Sequence, residues 1–211
     1  MNATETRRLL PAMLAMALVV VASNILVQFL LGDWLTWGAL SYPLAFLVND
    51  LTNRWHGPQA ARRVVVAGFV VGVICSLIAS QIEGPGGTPL TTLRIAIGSG
   101  LAFLAAQLTD IFVFDRLRRG SWWRAPAVSS FIGSALDTAL FFSIAFAAEL
   151  SFVSPATDVA WANEVLPVLG LGWAAPLWVS LALADFLVKL AMAVIALIPF
   201  RLLIGRIGRA V

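Results

Sequence analysis

Residues 125–146, APAVSSFIGSALDTALFFSIAF, form an apolar run in which Asp137 is the one charged side chain. A helix of this length rises roughly 33 Å at about 1.5 Å per residue, enough to cross a hydrocarbon core of about 30 Å. Asp137 then lies about 18 Å along from Ala125, near the middle of the bilayer. A carboxylate at that depth is costly unless it has a partner, so it marks a working site rather than filler. Ser129, Ser130, Gly133 and Ser134 precede it and Thr138 follows. Gly133, one turn away on the same face, is expected to leave open space beside the carboxylate.

The rest of the chain has the same character. Of its 211 residues 60% are hydrophobic and only 12% charged, too few charges to coat a soluble globule of this size. The expectation is one all-α transmembrane domain over residues 1–211, a polytopic membrane protein with six transmembrane helices. The spans read as about 9–31, 35–51, 64–82, 94–114, 125–149 and 175–199. Arg7 and Arg8 resemble the start of a signal peptide, but the run after them is longer than a signal segment and has no small-residue cleavage site. Span two is short and holds Pro43 after Tyr42, which predicts a kinked or partly unwound helix. Gly68 and Gly72 in span three form a G-x-x-x-G pair that permits close contact within the protein or in a homodimer. The segment from Glu149 to Gly172 mixes polar and apolar residues and reads as lying along the outer interface.

The net charge of +3 taken alone points to nucleic acid as a partner, but its distribution excludes that reading. Walking six spans puts Arg7, Arg8, Arg54, Arg62, Arg63, Arg116, Arg118, Arg119, Arg124, Arg201, Arg206 and Arg209 on one side. The opposite loops hold only Arg94. By the positive-inside rule both termini are cytoplasmic, and the lopsided split supports the short second span. Trp55, Trp122 and Trp123 mark the inner boundary, and Trp34, Trp37, Trp161, Trp173 and Trp178 the outer one.

Counting depth from each span end separates the polar residues into two layers. Asp137, Asp185, Lys189 and Asn24 can meet in a central pocket; Asn49, Asp50, Gln107 and Asp110 form a second layer nearer the cytoplasm. Asp185 and Lys189, i and i+4 on one helix, also read as a self-neutralising pair. Asn24 and Gln28 share the same spacing in span one and serve either as helix-to-helix bonds or as ligand contacts. Asp50 and Asp110 are expected to pair with Arg54 and Arg116, as a gate or a simple boundary.

Enzyme readings do poorly. The lone histidine, His56, sits in a basic loop, away from any serine at depth, and no G-x-x-x-x-G-K-[ST] is present. With a single cysteine, Cys75, the chain has no ordinary His/Cys zinc site, and no cofactor is expected.

Four runs carry a resemblance over nearly the whole chain: YPLAFLVNDLTNRWHGPQAARRVVVAGF (42–69), QLTDIFVFDRLR (107–118), SSFIGSALDTALFFSIAF (129–146) and DFLVK (185–189). Together they resemble the queuosine precursor transporters, a branch of the vitamin-uptake transporters. SNILVQ, with Asn24 and Gln28, is similar to that family's first span. The resemblance implies six spans and import of cyano and aminomethyl deazaguanines through the bacterial inner membrane. On that reading Asp137 grips the base's N–H edge, with Asn24, Gln28 or Gln107 in support, Ser130 and Thr138 adding small hydroxyls, and Phe141, Phe142 or Phe46 as walls. Asp185 or Asp50 would take a cationic aminomethyl group. Two alternatives stay open: a substrate-binding subunit that needs a separate ATP-driven partner, and a structural protein whose buried charges only pair.

Overall fold

The computed structural model describes residues 3–84 and 87–207, with side chains from 6 to 205. Pro85, Gly86, Arg209 and the Arg206 side chain lie outside the described residues. Among the described residues seven α-helices form: α1 Ala3–Leu26, α2 Gly38–Ser41, α3 Leu44–His56, α4 Pro58–Ala79, α5 Leu93–Leu117, α6 Arg124–Phe146 and α7 Leu177–Ile207. Five of them, α1, α4, α5, α6 and α7, are long and apolar enough to cross a membrane. The chain is an all-α, multi-pass membrane protein. Leu14, Leu18, Val70, Leu77, Phe112 and Val194 project apolar side chains outward, as a lipid-facing surface requires.

Where span two was expected, α2 and α3 stand as two pieces. Pro43 has no N–H to donate, and the chain tightens around it: the Ala45 amide reaches Tyr42 O at 2.9 Å and the Phe46 amide reaches Pro43 O at 3.1 Å. The break places Tyr42 at mid-bundle. At the far end of α3, Gly57 adopts φ 82° and Pro58 opens α4 immediately after it, so a single residue reverses the chain.

Several boundaries differ from expectation: α4 covers Pro58–Ala79 where 64–82 was expected, α5 ends at Leu117 rather than 114 and α6 at Phe146 rather than 149. α1 stops at Leu26, and Leu30–Leu31 (β1) pairs with Leu35–Thr36 (β2) in a small hairpin, so Gln28 lies beyond the helix and does not share a helical face with Asn24. Helix α7 runs through Pro199 to Ile207 instead of ending there, since one lost backbone bond is tolerable in a long helix packed by neighbours. The segment after α6 is built of short 3-10 turns. A second hairpin, Val165–Pro167 (β3) with Ala174–Pro176 (β4), leads into α7.

Glycines set the closest helix approaches. A Cβ on Gly68 would stand 2.6 Å from Met16 Cγ, so the G-x-x-x-G pair seats α4 on α1 within one chain. Gly133 brings α6 onto α3 and α5: a Cβ there would stand 2.6 Å from Phe46 Cε1 and 3.4 Å from Ala106 O. The expected open space beside Asp137 is thus filled by the Phe46 ring. Phe46 is itself buried and cannot swing aside. Gly133→Ala should therefore cost about 1–3 kcal/mol by overpacking. Thermal denaturation in detergent checks this, and an unchanged melting temperature would count against the packing described.

Candidate functional site

Helix α7 carries Asp185 and Lys189 one turn apart, and α6 presents Asp137 and Thr138 opposite them. The Lys189 ammonium lies 2.6 Å from Asp137 Oδ2 and 2.5 Å from Asp185 Oδ2. It also donates to Thr138 Oγ1 at 3.2 Å, while that hydroxyl donates to Asp185 Oδ2 at 2.8 Å. From the break between α2 and α3, the Tyr42 hydroxyl donates to Asp137 Oδ1 at 3.0 Å, and Lys189 sits 5.4 Å from the Tyr42 ring centre. The side chains of Lys189 and Asp137 are 4% and 5% exposed, that of Asp185 14%. Two carboxylates against one ammonium leave a formal charge of −1, and Asp185 Oδ1 has no partner among the described residues. Charges this deep are stable only because each is paired and hydrogen-bonded.

This cluster floors a cavity of about 470 Å3, within the roughly 300–1,000 Å3 of small-molecule sites. The cavity opens at the bundle end opposite the arginine loops, past Gln28, Trp34, Leu90 and Trp161. Phe141, Phe142 and Phe146 line one wall, and Trp161 packs edge-on to Phe146 with ring centres 5.6 Å apart. Asn24 lines the cavity with its amide donating to Val20 O at 2.9 Å, so it makes no helix-to-helix bond. At the rim, Ser23 of α1 meets Ser41 of α2 at 2.9 Å.

The second layer lies deeper. Asn49 donates to Asp110 Oδ2 at 3.0 Å and to Gln107 O at 3.1 Å; Ser129 and Ser130 donate to Asp50 at 3.3 and 3.4 Å. Asp50, Gln107 and Ser130 are therefore not brought to the large cavity, and Phe46 is not one of its walls. Ser130 precedes Asp137 by two helical turns, so it shares the face but sits about 10 Å lower.

The expected gate pairs do not form. Arg54 donates to Arg118 O at 2.6 Å, and Arg116 lies 4.7 Å over the Phe112 ring. The guanidiniums stay at the helix ends, where carbonyls and rings meet them in a wetter setting, instead of reaching inward to Asp50 and Asp110.

Sequence reasoning missed Tyr42 as a site residue and Arg94 as a structural one. The signal for Tyr42 was present: it is the only tyrosine, placed directly before a proline within a span. Arg94, read as an outer-loop charge, is enclosed and donates to Ile144 O at 2.6 Å, to Ala147 O, and to Ser151 Oγ at 3.4 Å.

A charged floor at mid-bundle beneath an aromatic-walled cavity open to one end, in a multi-pass chain, defines a membrane solute carrier. The comparisons narrow the class. The profile of the family described as putative vitamin uptake transporter matches residues 36–204. A queuosine precursor transporter of Escherichia coli is 34% identical over 195 residues, covering 86% of this chain and 79% of that protein. A probable queuosine precursor transporter of Haemophilus influenzae is 34% identical over 174 residues, covering 78% and 66%. One of Bacillus subtilis is 25% identical over 185 residues, covering 80% and 71%. No solved structure matches the chain. The chain belongs to the putative vitamin uptake transporter family, in its queuosine precursor branch, a family of transporters and not of enzymes.

Proposed function

We propose that this protein imports the queuosine precursors 7-cyano-7-deazaguanine and 7-aminomethyl-7-deazaguanine across the bacterial inner membrane, by alternating exposure of the site under the outer cavity. The observation that carries the reading is the Asp137–Lys189–Asp185 floor set beneath aromatic walls. A deazaguanine offers N–H donors along one edge and a flat face. Asp185 Oδ1 accepts from the edge, Asn24 and Gln28 supplement it, and Phe141, Phe142 or Trp161 takes the face. The formal −1 charge favours the cationic aminomethyl base and leaves the neutral cyano base to rely on hydrogen bonds and stacking.

Six crossings with both termini cytoplasmic fit this reading. The α2–α3 pair joins the outer hairpin to the basic turn at Gly57 and so counts as a broken crossing, as is common where a transporter site sits at mid-membrane. In cells unable to make the precursor, Asp137→Asn and Asp185→Asn should lower uptake, read as queuosine in transfer RNA, by roughly 10- to 100-fold, the loss of one charge-assisted bond. Variants that reach the membrane and still restore queuosine like the parent would sink the proposed site.

A further inference from the structure

We infer that Asp50 of α3 and Asp110 of α5 form a proton-binding pair that couples import to the proton gradient, joined to the substrate floor through a one-water cavity. The inference rests on the importer reading above.

The two side chains face each other within hydrogen-bonding reach. Both are buried. Asp50 takes the hydroxyls of Ser129 and Ser130, and Asp110 takes the Asn49 amide on Oδ2. Asp110 Oδ1 is buried without a hydrogen-bond partner, and so is Asn49 Oδ1 beside it. A single proton on Asp110 Oδ1, donated to Asp50, supplies the missing donor and removes the repulsion of two carboxylates in contact.

No described residue neutralises the pair. Lys189 of α7 is held by Asp137 and Asp185; Arg54 of α3 is on Arg118 O; Arg118, just past the end of α5, is on Asp115 and on Asn53 O. Arg116 lies over Phe112 and Arg201 of α7 over Trp122. Arg94 is on Ile144 O and Ala147 O, and Arg7 and Arg8 of α1, Arg62 and Arg63 of α4, Arg119 after α5 and Arg124 of α6 sit at the cytoplasmic ends of their helices. Arg54, Arg94, Arg116, Arg118 and Arg201 are thus engaged away from Asp50 and Asp110.

A second observation is independent of the carboxyls. A cavity of about 10 Å3, room for one water, has Lys189, Ser130, Ser134 and Asp50 as its polar lining, with apolar side chains of α3, α6 and α7 closing the rest. Ser134 Oγ is buried at its edge with no hydrogen-bond partner, a polar group aimed at a water-sized guest. Lys189 thus borders both the large cavity and this small one, which gives a proton a polar path from the floor to Asp50.

The coupling element is the broken crossing. α3 carries Asp50, and the residue at its break, Tyr42, holds Asp137 in the floor. Protonation lets α3 and α5 close on each other; deprotonation leaves two facing carboxylates that push them apart, and Tyr42 moves with α3. Occupancy of the floor and of the pair therefore bias the same segment.

The test uses the purified full chain in liposomes with 7-cyano-7-deazaguanine and an internal pH dye. With the outside acidic, the parent should accumulate the base about tenfold per pH unit for one proton per base, with internal acidification that depends on the base. Asp110→Asn should still exchange labelled for unlabelled base but neither accumulate it nor acidify the interior. Asp50→Asn serves if the first variant misfolds, and the dye signal of the parent stands without either. Exchange that ignores pH, accumulation that requires sodium, or an Asp110→Asn variant that still accumulates would overturn the coupling alone. A parent protein that exchanges no deazaguanine would overturn the importer reading with it.

Discussion

Lys189→Met is expected to abolish uptake and to destabilise the protein by about 3–5 kcal/mol, the usual cost of stripping one partner from a buried ion pair. The methionine fits the space, so the loss is of charge rather than volume. Without the ammonium, Asp137 and Asp185 stand on facing helices with only the hydroxyls of Tyr42 and Thr138 between them. A formal charge of −1 becomes −2 in a site that is 14% exposed at most. The double variant Lys189→Met, Asp185→Asn restores the charge to −1 and should recover most of the melting temperature without recovering uptake. If the single variant melts and transports like the parent, Lys189 does not neutralise this floor.

The floor was the most legible part of the protein, because depth along a helix is simple arithmetic. Asp137, Asp185 and Lys189 fall at similar depths on α6 and α7, and their costs oblige them to meet. Azimuth was not legible. Gly133 lies on the Asp137 side of α6, but only the tertiary arrangement says that Phe46 fills the notch. Tyr42 escaped notice because its position depends on how the chain tightens around Pro43. Closeness in sequence pairs Asp50 with Arg54 and Asp110 with Arg116. Arg54, one helical turn beyond Asp50, meets the nearer Arg118 carbonyl instead of a buried carboxylate. Span ends shifted for similar reasons: hydropathy stays high through Val27–Leu31, although those residues turn into a hairpin.

Arg94→Ala should cost about 3–6 kcal/mol, two charge-assisted bonds at roughly 1.5–3 kcal/mol each, although the residue is far from the floor. Helix α6 ends at Phe146, so its last carbonyls have no amide ahead of them. The guanidinium, rising from the first turn of α5, meets Ile144 O with Nε and Ala147 O with Nη2. A positive group there also opposes the negative end of the α6 dipole. The planar fork reaches both carbonyls at once, which a lysine cannot do, so Arg94→Lys should recover only about half of the loss. The effect reaches the cavity because the same junction supports its wall. Asn163 donates to Phe146 O at 2.9 Å, and Trp161 rests on the Phe146 ring. Arg94→Ala should therefore loosen the segment from Ala148 to Asn163, seen as faster proteolysis or hydrogen exchange there, and weaken substrate affinity before the bundle melts. An unchanged exchange pattern with a lowered melting temperature would confine Arg94 to holding α5 against α6.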